Sequence, residues 1–174
     1  DNDCDGTADD DFSISQADGT TVTGVGKGCG VGACAGGTTK CTAAKTGIYC
    51  PTAANATNEK CDNVDNDCDG KTDAADPTDL IAHDKKNCGN QKGVCSGSYK
   101  PASLCSGGSW GACTNTHYSN HSSSFQSGSE SSCDGLDNDC DGSHDEDFSM
   151  TLKNGTSVGF NWPCGVGVCA GGIT

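Results

Sequence analysis

Fifteen cysteines run through this chain of 174 residues, and they constrain it more than any apolar pattern does. A cysteine share of about 9% is typical of oxidising compartments and of small domains held by staples. The core on offer is thin. Leu, Ile, Val and Phe number 20, about 11% of the chain, whereas a highly charged chain below roughly 20% stays disordered unless something else holds it. Twenty-six glycines raise the cost of ordering further. Burial alone does not fold such a sequence, so crosslinks and bound ions have to contribute.

The acidic residues point to the ions. Of 24, 21 are Asp and 3 are Glu, while all 10 basic residues are Lys. Short Asp side chains packed into loops let several carboxylates converge on one hard cation. The net charge of −14 argues against nucleic-acid and anionic-membrane partners, both of which would be repelled. No apolar stretch nears the ~20 residues of a membrane span, and no secretion signal is present. Because the chain begins inside a motif, at Asp1-Asn2-Asp3-Cys4, a window on a longer chain with any signal upstream is expected.

The motif is Asp-Asn-Asp-Cys-Asp-Gly. It starts at Asp1, Asp65 and Asp137, at spacings of 64 and 72 residues, so each repeat is one small unit. The expected division is 1–60 (type A), 61–132 (type B, ending in the serine-rich linker Ser119–Ser132) and 133–174 (type A). In both type A copies the loop runs into alternating residues around Asp18-Gly19 or Asn154-Gly155, which predicts a two-residue hairpin. Type B carries Asp79-Leu80-Ile81-Ala82 instead.

The complete middle unit holds six cysteines, Cys61, Cys68, Cys88, Cys95, Cys105 and Cys113, which predicts three disulfides per repeat. The outer copies then show fewer because each is cut by an end of the chain. Six cysteines allow 15 pairings; the expected one closes a local Cys61–Cys68 clasp and crosslinks the other four among themselves. Zinc is disfavoured, because the units lack paired Cys-x-x-Cys ligands. Together these features predict a small, disulfide-rich, loop-rich tandem repeat with short β-hairpins, calcium-binding loops and little helix.

An Asp-x-Asp-x-Asp-Gly loop wraps three carboxylates around one point, and calcium takes six to eight oxygens at flexible geometry. In that register the ligands are Asp1, Asp3, Asp5, the Thr7 carbonyl and Asp9; then Asp65, Asp67, Asp69, the Lys71 carbonyl, Asp73 and Asp76; then Asp137, Asp139, Asp141, the Ser143 carbonyl and Asp145. Asp76 stands at the twelfth position, where the outer copies have Phe12 and Phe148, so Asp10 and Glu146 are candidates to replace it. Asp62 and Asp134 fit either a ligand or an Asx-turn role. The expected cofactor is calcium, about one ion per repeat and three in all; magnesium prefers to keep several waters.

Cys133-Asp-Gly-Leu-Asp-Asn-Asp-Cys-Asp-Gly resembles the metal-binding motif repeated in bacterial surface proteins, a surface copper protein among them. Its Asp spacing is also similar to that of thrombospondin type-3 repeats and dockerin calcium loops. The resemblance covers about 14 residues per unit and implies an extracellular or cell-surface location with tandem use. It also raises copper, although His83, His117, His121 and His144 share no pattern across the repeats.

No Ser/His/Asp or Cys/His set stands out, and the apolar material is too sparse to wall a dry pocket, so no enzymatic activity is expected. The leading expectation is an extracellular structural protein, a calcium-stabilised fibre or surface stalk whose partners are neighbouring repeats or subunits of the same protein. Its alternatives are a calcium-dependent adhesion or spacer region of a larger surface protein, or a surface copper binder. The dispersed aromatics Tyr49, Tyr99, Trp110, Tyr118 and Trp162 favour the first, and Trp110 and Trp162 read as mini-core residues. Asn55-Ala-Thr57, Asn120-His-Ser122 and Asn154-Gly-Thr156 fit the glycosylation pattern, which makes glycans a further expected partner.

Overall fold

The computed structural model describes residues 9–160, 163–164 and 172–173. Among these residues regular structure is short throughout. Twelve strands of two or three residues pair as antiparallel hairpins: β1 (Ser13–Ser15) with β2 (Thr21–Thr23), β3 (Gly28–Cys29) with β4 (Gly37–Thr38), β5 (Lys40–Cys41) with β6 (Ile48–Tyr49), β7 (Cys105–Ser106) with β8 (Ser109–Trp110), β9 (Ser149–Thr151) with β10 (Ser157–Gly159), and β11 (Pro163–Cys164) with β12 (Gly172–Ile173). Two helices, α1 (Pro77–Asp84) and α2 (Asn115–His121), are 8 and 7 residues long. This is the small, disulfide-rich, loop-rich fold that the composition predicts.

The two long hairpins turn differently from expectation. Ser13 faces Thr23 and Ser15 faces Thr21, and the Gln16 N–H donates to the Thr20 carbonyl (2.8 Å) while Gly19 N–H returns to the Gln16 carbonyl (3.0 Å). The loop is therefore the three residues Ala17-Asp18-Gly19, not two. Leu152 and Thr156 enclose Lys153-Asn154-Gly155 in the same way. The cause is local. Asp18 Oδ1 and Asn154 Oδ1 each accept the N–H two residues on, at 2.9 and 3.0 Å. The glycine then takes φ of +82° or +84° as the bulge that restores the strand twist.

The disulfides overturn the expected clasp. Cys61 bonds Cys105 and Cys68 bonds Cys34, so the two cysteines flanking the second motif go to different partners. The others are Cys29–Cys50, Cys88–Cys113 and Cys95–Cys140. Aligned on the repeats, the first matches Cys88–Cys113, and Cys34–Cys68 matches Cys95–Cys140. The latter class joins one repeat to the next: the cysteine inside a motif bonds a cysteine of the preceding copy. Cys41 and Cys133 are exposed and unbonded among the described residues; they stand in the registers of Cys105 and Cys61.

The compact units follow these staples rather than the repeat boundaries. One takes in Asp1–Lys86 with Pro101–Gly111, the other Asn87–Lys100 with Ala112–Thr174, and each of the five described disulfides falls within a unit. In the first unit the core is Leu80, Ala102 and Cys105, with Cys61, Ile81 and Trp110 packed against it. Helix α1 supplies Leu80. Pro77 at its first position is preset for helical φ, and the fully buried Leu80 side chain contributes roughly 1.5–3 kcal/mol. Trp110 is the mini-core residue expected of it, its indole N–H donating to Asp84 at 3.0 Å; Trp162 lies outside the described residues. In the second unit Tyr118 on α2 packs on Phe125, ring centroids 5.5 Å apart, and the Tyr118 hydroxyl accepts the Asn90 N–H. The stretch Ser119–Ser132 is thus partly helical and packed. His117 and His121 serve the fold here, receiving the Thr114 N–H at Nδ1 and pairing with the Ser96 carbonyl through Nε2.

Candidate metal centres

The second and third motifs adopt one conformation. In both, the embedded cysteine and the glycine take left-handed φ, +65° and +91° at Cys68 and Gly70, +65° and +104° at Cys140 and Gly142. Alternating left- and right-handed residues curl the backbone so that its N–H groups point inward and meet the carboxylates. Asp65 accepts the N–H groups of Asp69 (3.1 Å) and Gly70 (3.0 Å), and Asp69 that of Lys71 (2.8 Å). In the third motif Asp137 accepts Gly142 N–H (3.0 Å), Asp139 accepts Asp141 N–H (3.1 Å), and Asp141 accepts Ser143 N–H (2.8 Å). The first motif shares the turn at its end, where Asp9 has φ +58°; Asp1, Asp3, Asp5 and Thr7 lie outside the described residues.

The second and third loops are each seated on a short 3₁₀ turn from the preceding repeat. Ala33 N–H donates to the Asp65 carbonyl (2.8 Å) and Val94 N–H to the Asp137 carbonyl (3.0 Å). The disulfides Cys34–Cys68 and Cys95–Cys140 lie beside these bonds. The approach is so close that a Cβ on Gly32 or Gly93 would fall 2.3 or 2.2 Å from that same carbonyl oxygen, and both glycines also have positive φ. Only glycine fits there.

Carboxylates converge in two places per loop. Oxygens of Glu59, Asp65 and Asp67 lie within 4.8 Å of one another, as do those of Asp67, Asp69 and Asp76. In the third motif the sets are Glu130, Asp137 and Asp139, then Asp139, Asp141 and Glu146. The structure thus brings together Asp65, Asp67, Asp69 and Asp76, and Asp137, Asp139 and Asp141, and Glu146 takes the place that Asp76 holds in the second motif. Asp73 and Asp145 join neither set. They are buried, with φ of +50° and +55°, and their carboxylates close the motif by accepting N–H groups from Asp62 and Asn63, or Asp134 and Gly135, at 3.0–3.3 Å. Asp62 and Asp134 form the Asx turns, accepting the N–H two residues on at 3.0 Å.

Glu59 and Glu130 were not among the ligands read from the sequence. Glu59 is fully buried and accepts the N–H groups of Asn66 (2.9 Å) and Asp73 (2.8 Å). Burial pushes its carboxyl above the ordinary value; those N–H groups oppose the shift, and the charges of Asp67 and Asp65 add to it. Glu130 accepts Asn138 N–H at 2.5 Å, but its Oε2, Asp137 Oδ1 and Asn138 Oδ1 are buried without a hydrogen-bond partner. Buried carboxylate oxygens without a donor are costly, and a cation is what such a cage fits. The sequence did carry a signal: the chain has only 3 glutamates, and two stand just ahead of the cysteine that opens a motif.

No match to the chain was found among curated proteins or solved structures. A family model described as "Putative metal-binding motif", with copper binding and the protein MopE in its name, matches residues 1–10, 51–74 and 121–146. The second and third matched segments begin ahead of the aspartates and take in Glu59 and Glu130 with the loops. The family model matches the chain at three segments, which together span about a third of its length.

Proposed function

We propose that the protein is an extracellular structural element, a tandem array made rigid by calcium and disulfides and used as a fibre or a surface stalk. The observation that carries this reading is the stitching of repeats. Cys34–Cys68 and Cys95–Cys140 tie each described metal loop to the copy before it, so the ion, the crosslink and the junction between copies coincide. A load along such an array passes through covalent and ionic links rather than through a small apolar core. The five disulfides among the described residues suit an oxidising compartment, and no helix among those residues is long and apolar enough to cross a membrane. The partners are neighbouring copies or repeats, with glycans carried at the exposed Asn55, Asn120 and Asn154. A catalytic role has no support in the carboxylates, which read as ligands.

Calcium fits because the gathered donors are carboxylate oxygens, hard ligands at flexible geometry. No histidine belongs to either cluster, which weakens the copper alternative. Elemental mass spectrometry of the purified protein, with negative-stain images before and after a calcium chelator, tests the reading. Bound calcium and particles that soften or disperse on chelation are expected. Stoichiometric copper, or unchanged particles without metal, would overturn it.

A further inference from the structure

We propose that copies of this chain are joined one to the next by a disulfide between Cys133 of one copy and Cys41 of another. The proposal rests on the tandem-array reading above and names the bond between copies. The middle repeat shows the template. There Cys61, which opens the motif, bonds Cys105 on the first strand of the β7–β8 hairpin, with the Asp73 carboxylate within 4.8 Å of both sulfurs. The same two halves occur again in the chain, unjoined. Cys41 stands on the first strand of the β5–β6 hairpin, facing Ile48, and its thiol donates to Asp9 Oδ2 at 3.7 Å, as Cys105 lies beside Asp73. Cys133 opens the third motif, where Asp134 and Gly135 donate to Asp145 as Asp62 and Asn63 do to Asp73. Both thiols are exposed.

The two halves complement each other, and neither complements itself. Cys41 holds the hairpin register and Cys133 the motif-opening register, so a bond that reproduces Cys61–Cys105 takes one cysteine of each kind. Charge selects the same pairing. A chain of net charge −14 repels its own copies, so contact needs a local reversal of sign. Residues 40–49 supply it: they hold Lys40 and Lys45 and no acidic residue, and neither lysine enters an ion pair among the described residues. Cys133 is followed by Asp134, and Asp147 closes the far side of the motif; both are exposed and stand outside the carboxylate clusters. Two lysine hairpins repel each other, as do two acidic motif openings.

Apolar surface is available on both sides of the contact. Ile14 on β1 is partly buried and lines one groove with Ile48 and Tyr49 of β6. Met150, at the same position of β9, is exposed, and so is Phe160. On the lysine hairpin Tyr49 is exposed as well. The bond forms by exchange with a low-molecular-weight disulfide of the oxidising compartment. One cysteine's thiolate attacks that disulfide, giving a mixed disulfide and releasing one thiol. The other cysteine's thiolate then displaces the second thiol. Two protein thiols become one S–S bond, and the oxidant's S–S bond takes up the two electrons and two protons as two thiols.

The test oxidises the full chain in a glutathione redox buffer with calcium, and follows it by non-reducing electrophoresis and mass-spectrometric mapping of crosslinked peptides. A ladder of oligomers is expected, with the Cys41 peptide joined to the Cys133 peptide. The Cys41→Ser and Cys133→Ser variants should each stay monomeric, with the five described disulfides intact. Their equimolar mixture should give a dimer and nothing longer, because each brings the half that the other lacks. Dimers in either variant alone, a Cys41–Cys133 bond within a single chain, or both thiols free in a fully oxidised sample overturns the proposal. Those outcomes leave the calcium-array reading standing, since metal content and the response to chelator decide that reading and neither serine variant alters them.

Discussion

The second and third metal loops share a backbone, a disulfide class and a glutamate, yet they satisfy their inner carboxylates differently. In the second, both oxygens of Glu59 and both of Asp65 accept backbone N–H groups, Asn66 Nδ2 donates to Asp62, and Lys71 pairs with Asp69 at 2.7 Å. Helix α1 follows directly and drives Leu80 into a core. In the third, one oxygen each of Glu130 and Asp137 is orphaned, and a hairpin follows in place of the helix. One motif is largely satisfied by its own protein, while the other leaves more for an ion to do. An identical Asp-Asn-Asp-Cys-Asp-Gly loop therefore does not imply equal dependence on metal.

Removing the crosslinks is the strongest challenge to this contrast. Cys34–Cys68 and Cys95–Cys140 close spans of 34 and 45 residues, for which chain entropy gives about 4 kcal/mol each, with a difference of only a few tenths. The Cys34→Ala/Cys68→Ala and Cys95→Ala/Cys140→Ala variants should therefore be destabilised alike in saturating calcium, as read by chemical denaturation. In chelator the second pair should lose more. Equal losses in chelator would show that the two loops depend on the ion to the same degree.

A finer probe is amide hydrogen exchange as calcium is withdrawn. Residues 130–146 should lose protection at a higher free-calcium level than residues 59–76, by roughly tenfold if the orphaned oxygens cost about 1.4 kcal/mol more without the ion. Simultaneous loss would mean that the N–H groups around Glu59 confer no independence.

The smallest effect expected concerns acid. Burial raises the Asp84 carboxyl, but the Lys86 ammonium (2.6 Å), the Trp110 indole N–H and the Cys61 N–H outweigh it and hold the group below its ordinary value. A depressed carboxyl stabilises the fold above the ordinary carboxylate pKa, and that contribution is lost as pH falls through the folded-state value. In the Asp84→Asn variant the first unit should be less stable at neutral pH by about 1 kcal/mol. Its remaining stability should fall less steeply below pH 4, as followed by Trp110 fluorescence. An unchanged acid slope would exclude Asp84 as a source of the difference between units.

Much of this was legible in the residues. Fifteen cysteines with so thin a core required staples, and three copies of one Asp-rich loop announced a repeated metal site, because carboxylates at alternate positions of a tight turn must converge. Asx turns at Asp62 and Asp134 followed from the same local chemistry. The hairpin turns and the Cys61–Cys68 clasp came out differently from expectation. The Asp18-Gly19 and Asn154-Gly155 hairpins gained a residue because the Asx side chain captured a nearby N–H, a choice that strand alternation does not reveal. Asp73 and Asp145 stand at ligand spacing, and in the structure their carboxylates accept the motif's own N–H groups from residues of positive φ.

Composition and local spacing by themselves determined the class of fold, the motif and the gathering of its carboxylates, since these depend on residues close together in the chain. Only the tertiary structure decided which cysteines meet, that Glu59 and Glu130 enter the loops, and that the compact units straddle the repeats. Those outcomes depend on how a 3₁₀ turn of one copy seats on the loop of the next, where two glycines permit backbone to touch backbone. That fit is set by three-dimensional closeness between distant segments, and no period along the chain encodes it.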